Sequence, residues 1–215
     1  MTPDPGHTPG HTPHITPGAT LVLATANRHK VTEMKERLSG CWPGPVSSLA
    51  DFPEIPSPEE TGATFEENAR IKARALASLL PHWVLSDDSG LEVPALDLRP
   101  GVFSSRFAGP QAGMEENKAL LLQLLSGKRA CERRARFRSV LVLARQGAAE
   151  YLFEGSCEGE ILIAPRGFGG FGYDPLFYFP SLGKSFAEIT LEEKNRISHR
   201  GLALEKLLNF IRDAS

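Results

Sequence analysis

Two short runs in this chain are apolar at successive positions, LVLA within TLVLAT (residues 20–25) and WVL within HWVLSD (residues 82–87). Strands apolar in this way offer no face to water, so they must be covered on both sides. The residues after the first run supply a cover. NRHKVTEMKERLSG places Val31, Met34 and Leu38 at helical spacing, with Gly40 as a stop. The chain thus opens as a buried strand feeding a helix.

A second helix starts at the capping box Thr64-x-x-Glu67 and runs a stripe through Phe65, Ala69, Lys72, Leu76 and Leu79 or Leu80, ending at Pro81. MEENKALLLQLLSG predicts a third, closed by Gly127. RARFRSVLVLAR alternates as a long strand, half exposed at its start. EYLFEGSCEGEILIAP continues as a strand pair or one bent strand, with Gly155 and Gly159 marking a bulge or tight bend. LEVPAL and VFSSRFAG read as shorter extended pieces, which puts Asp87 and Asp88 at the C-terminal end of a strand. Residues 41–62 form a Pro- and Ser-rich connection with one short strand near Val46. A second capping box, Thr190-x-x-Glu193, and then Ser198 precede a long amphipathic C-terminal helix. Helices and strands mix without strict alternation, so the expected class is α/β with a mixed, partly antiparallel sheet flanked by helices.

With 215 residues and 41% hydrophobic content the chain can bury a sizeable core. Its formal net charge of -2 argues against a broad grip on nucleic acid. The strongly apolar stretch at residues 140–144 is framed by Arg138 and Arg145 and is too short to cross a bilayer. Three dispersed cysteines (Cys41, Cys131, Cys157) give no disulfide or zinc pattern, which suits the cytoplasm. Residues 1–18, rich in Pro, Thr and His, read as a disordered tail before a single domain at 19–215; His7, His11 and His14 lie in it.

Four places carry candidate chemistry. TANRHK is a strand-to-helix turn where Asn27 and Lys30 make a candidate anion site, although plain capping would also account for it. Glu59, Glu60, Glu66, Glu67, Asp87 and Asp88 form a carboxylate set of the kind that holds magnesium together with phosphate oxygens. PRGFGGFGYDP (165–175) matches G-x-G-x-x-G at Gly167, Gly169 and Gly172 with no helix to follow, leaving a glycine-rich loop that displays Phe171 and Asp174. Ser198 would cap a helix whose first residues, His199 and Arg200, act as donors one turn after Lys194.

Taken in order, the segments TANRHK (25–30), EETGATFEENA (59–69), DDSGLEV (87–93), GFGYDP (170–175) and EKNRISHRG (193–201) resemble the inosine triphosphate pyrophosphatase family, the noncanonical purine nucleoside triphosphate pyrophosphatases. The resemblance spans about residues 20–212, with Ala26 standing where the family usually has glycine. It implies an elongated sheet with two lobes around a deep cleft, a homodimer, and Mg²⁺-dependent cleavage of ITP, dITP or XTP between the α and β phosphorus atoms. Net charge and the shortness of the apolar stretches lead to the expectation of no nucleic-acid or membrane partner. Carried over residue by residue, Asp88 would accept the proton from water and bind metal with Glu59 or Glu60, while Asp87 orients neighbours or binds a second ion. Thr25, Ala26, Asn27, Arg28, His29 and Lys30 form the phosphate turn, with Thr25, Asn27 and Lys30 as the cradle and Ser89 joining them; Lys30 is also catalytic. Phe171, in a loop with Gly172 and Tyr173, would stack on the purine, and Asp174 would accept from the ring N–H. His199 and Arg200 would donate to the 6-keto group, and Lys194 would reach the sugar or phosphate side. Rival readings are a pyrophosphatase for other modified bases and a non-catalytic nucleotide- or RNA-binding module.

Overall fold

The computed structural model describes residues 15–213. Strand β1 (Leu21–Leu23) leads into helix α1 (Arg28–Leu38), and β2 (Val46–Ser48) comes next. Helix α2 (Phe65–Leu79) precedes the long strand β3 (Trp83–Glu92), and α3 (Met114–Leu124) comes before the antiparallel pair β4 (Arg134–Ala144) and β5 (Tyr151–Ile161). Short strands β6 (Phe177–Phe179) and β7 (Lys184–Ser185) and helices α4 (Leu191–Ile197) and α5 (His199–Asp213) complete the order. One seven-stranded sheet runs β2-β1-β3-β4-β5-β6-β7. It is parallel across β2, β1 and β3 and antiparallel from β3 onward, a mixed sheet as expected.

The two faces of this sheet separate by the pleat, since neighbouring strand residues point to opposite sides. Leu21, Leu23, Leu85, Leu141 and Leu143 pack with Met34, Leu38, Leu204 and Leu207 of α1 and α5. Val22, Val84, Val140 and Val142 pack with Phe65, Ala69, Ala73 and Leu76 of α2 on the other face. A third cluster, including Leu91, Phe137, Cys157, Phe177 and Phe186, lies around the far ends of the long strands. Both apolar runs are therefore covered twice, as their composition demanded.

Several local expectations change. Asp87 and Asp88 lie in the middle of β3, and its pairing with β4 continues without a break from Val84 to Glu92. What read as a strand end is a polar stretch inside a strand, tolerated because each carboxylate finds a buried partner. VFSSRFAG is a 3-10 helix over Gly101–Arg106, and PAL is another over Pro94–Leu96. Gly155 and Gly159 make no bulge, for β5 keeps one register against β4 throughout. They are there for close approach. A methyl group on Gly155 would overlap the His199 carbonyl and the Ala203 amide of α5, and one on Gly159 would overlap the Phe177 ring.

The tail read as residues 1–18 is only partly described, and its histidines at 7, 11 and 14 lie outside the described residues. Ile15 is buried in the first cluster and Gly18 donates to the Pro43 carbonyl, so packing starts inside that segment. Among the described residues no helix is long and apolar enough to cross a membrane.

Candidate active site

A cavity of about 650 Å³ opens between the first turn of α1, the middle of β3, the glycine-rich loop and the junction of α4 with α5. Its first wall is the turn after β1. Asn27 caps α1, its side-chain oxygen accepting from the amides of His29 at 3.0 Å and Lys30 at 3.3 Å. Thr25 Oγ1 accepts from the Asn27 amide at 3.1 Å. These side chains thus build the turn. No acidic residue occupies the first turn of α1, which leaves its dipole end uncompensated and suited to an anion. Among the described residues the only positive φ values outside glycine are at Asp97 and Leu98, so Ala26 adopts its place without strain.

The pleat assigns Asp87 and Asp88 different tasks. Asp87 faces α1 and α5, where its Oδ2 pairs with Lys30 at 2.8 Å and Arg200 at 3.0 Å, while Oδ1 accepts from Ser139 at 2.6 Å. Arg200 also donates to Ser89 Oγ at 2.8 Å and to Glu33. Glu33 pairs with Lys194 at 2.8 Å, and Lys194 with Asp174 at 2.5 Å. A row of alternating sign results, buried beyond its first member: Lys30, Asp87, Arg200, Glu33, Lys194, Asp174. Burial alone would raise the Asp87 pKa, but Arg200 and Lys30 hold its carboxyl well below the usual range. Glu33, likewise opposed by burial, is held down by Arg200 and Lys194.

Asp88 faces α2 instead. Lys72 donates to Asp88 at 2.8 Å, to Glu60 at 2.9 Å and to the Asp87 carbonyl at 2.8 Å, and Asn68 donates to Asp88 at 3.3 Å. Burial pushes the Asp88 carboxyl above its ordinary value despite the pull of Lys72. A carboxylate made more basic beside an anion turn is suited to taking a proton from water.

In the glycine-rich loop, Phe171 is half-buried between two glycines of positive φ, Gly170 at 69° and Gly172 at 62°. Its amide donates to Asp174 at 2.8 Å, its ring stacks on His29, and the Lys194 ammonium lies 4.6 Å from the ring centroid. Tyr173 Oη donates to the Ser104 carbonyl at 3.0 Å. His199 stacks on Phe137, and burial together with Arg200 keeps its pKa well below the ordinary value, so the ring is neutral.

Most residues anticipated from the sequence line this one cavity: Thr25, Ala26, Asn27, His29, Lys30, Glu60, Asp87, Asp88, Ser89, Phe171, Gly172, Tyr173, Asp174, Lys194, His199 and Arg200. Glu59 and Arg28 do not; both are exposed. Glu66 pairs with Arg70, and Glu67 accepts from the Ala63 and Thr64 amides as a cap. Lys194 pairs with Asp174 and lies over the Phe171 ring. Arg200 gives its donors to Asp87, Glu33 and Ser89. Sequence reasoning missed Lys72, Glu33, Asn68 and Ser139. Lys72 had left a signal, a lysine on the apolar stripe of α2 where a leucine would pack.

Residues 21–210 match the model of the Ham1 family. The chain belongs to the Ham1 family. Among its Ham1 relatives, the dITP/XTP pyrophosphatase of Thermus thermophilus is 51% identical over 197 residues, 91% of this chain and 93% of that protein. The dITP/XTP pyrophosphatase of Halalkalibacterium halodurans is 49% identical over 186 residues, 86% of this chain and 95% of its own length. The solved structure of a HAM1 protein from Coxiella burnetii superposes with a TM-score of 0.83 at 43% identity, covering 91% of this chain and 99% of that one.

Proposed function

We propose that this protein hydrolyses noncanonical purine nucleoside triphosphates, ITP, dITP and XTP, at the α–β phosphoanhydride, giving the monophosphate and pyrophosphate. What carries the reading is one cavity that holds a basic carboxylate, Asp88, an uncompensated helix N-terminus and a glycine-flanked aromatic, Phe171. The names of its close relatives agree with it. On this reading Asp88 takes the proton of the attacking water, the α1 turn with Lys30 holds the phosphates, and Phe171 stacks on the base.

Glu60 and Asp88 are oxygen-only donors on one wall and suit a hard cation such as Mg²⁺. They would hold it, with Lys72 releasing part of its hold on both. When bound, the ion neutralises phosphate charge and orients the leaving group. The exposed Glu59 has no part in the site. Neutral His199, which lines the cavity, is the group left to sense the purine 6-keto oxygen, while Arg200 braces Asp87. The enzyme works in the cytoplasm as a homodimer that clears deaminated purine nucleotides; exposed Phe103, Ile163 and Phe168 offer apolar surface for the second copy.

Pyrophosphate release from ITP and XTP, measured beside ATP and GTP, tests the reading. Preference for the first two by orders of magnitude is expected; equal cleavage of ITP and ATP would overturn it.

A further inference from the structure

The phosphate turn and the aromatic wall touch directly, through His29 in the first turn of α1 and Phe171 in the glycine-rich loop. Their ring centroids are 5.0 Å apart and their planes differ by 9°, a stacked pair. Phe171 needs such a contact. Glycines at positive φ flank it on both sides and have no side chains to pack, and its amide is tied only to the Asp174 carboxylate. Lys194 at 4.6 Å and Arg200 at 5.8 Å also lie over the ring, but both are committed to buried carboxylates. His29 is the one aromatic partner that Phe171 has among the described residues.

The geometry points to His29 as a positioning residue for the base: its ring holds Phe171 flat and in place before a planar heterocycle arrives. A stacking platform immobilised in advance loses less entropy when ligand binds, so the gain appears as affinity for the base. Because His29 belongs to the same helical turn as Asn27 and Lys30, the stack also fixes the distance between the phosphate end and the base end of the cavity. No charge on His29 is needed for this; an aromatic ring is. The inference rests on the proposed nucleotide reading and adds a role that the turn motif alone does not contain.

Calorimetric binding of inosine monophosphate and of inorganic tripolyphosphate to the full chain, as wild type, His29→Ala and His29→Phe, tests it. His29 is exposed on a helix surface, so both variants should fold, which circular dichroism checks. Removal of the ring should weaken inosine monophosphate about tenfold, weaken tripolyphosphate much less, and be rescued by phenylalanine. Unaltered inosine monophosphate affinity in His29→Ala overturns the role, and so does an equal loss for both ligands or no rescue. Binding is read apart from turnover. A wild type that binds inosine monophosphate yet leaves ITP intact overturns the proposed reaction and not the stack, whereas one that fails to bind it overturns both.

Discussion

Asp87 and Asp88 hold two like charges on adjacent residues, and the pleat of β3 makes that arrangement stable. One carboxylate meets Lys30 and Arg200 on the α1/α5 face, and the other meets Lys72 on the α2 face. Their chemistry diverges accordingly, with Asp87 a buried counterion and Asp88 the more basic group. Asp88→Asn should therefore keep the fold while lowering kcat by about 10²–10⁴-fold, measured as pyrophosphate release; wild-type turnover would remove Asp88 as the base. Glu33 joins Arg200 to Lys194 in the buried row, so Glu33→Gln leaves both cations short of charge. A loss of about 3–5 kcal/mol in urea unfolding is expected. His199 gives a pH dependence of stability. Its folded pKa lies well below the ordinary 6.5, so under acid the unfolded chain takes up a proton that the folded protein refuses. Stability should be complete above about pH 6.5 and fall below it, by up to about 1.4 kcal/mol per pH unit. Thermal melts from pH 7.5 to 5 read this slope, and His199→Asn should flatten it.

At the scale of elements, the helices and the strand pair were readable because their signals are local. The capping box at Thr64 and Glu67 closes at 3.1 Å from Glu67 N to Thr64 Oγ1, and the Thr25 and Asn27 side chains set the turn after β1 from within six residues. The continuation of β3 through Asp-Asp-Ser-Gly was not readable. Aspartate and glycine disfavour strands on their own, and only the cations of α1, α2 and α5, which are distant in sequence, reverse that preference. Gly155 shows the same limit: a strand glycine signals either a bend or a close approach, and the partner decides which. Gly155→Ala should push α5 off β5 and cost about 1–3 kcal/mol by thermal denaturation, with catalysis impaired as well because His199 is displaced. An unchanged melting temperature would contradict so close a contact.

For the whole molecule, the site exists only where the three clusters meet. The apolar clusters around α1, α5 and α2 position the turn after β1 and the carboxylates, while the third cluster anchors the Phe171 loop through Tyr173 and Leu176. Metal removal is the prediction at this scale. EDTA should abolish pyrophosphate release and excess Mg²⁺ restore it, with the circular dichroism spectrum constant throughout, since packing and not the ion holds the domain together. Turnover undiminished by EDTA would refute the metal assignment to Glu60 and Asp88.

The sequence by itself determined the α/β class, the caps, the segments that build the cavity and the family they resemble, because periodicity, capping and motif order are properties of neighbouring residues. Tertiary structure decided which carboxylate is basic and which is a counterion, that Lys72 rather than a further acid stands between Glu60 and Asp88, that Glu59 is outside, and that His29 meets Phe171. Those outcomes depend on burial and on partners up to 167 residues apart, such as Glu33 and Arg200. Local pattern carries no record of which charges a fold will bring together away from water.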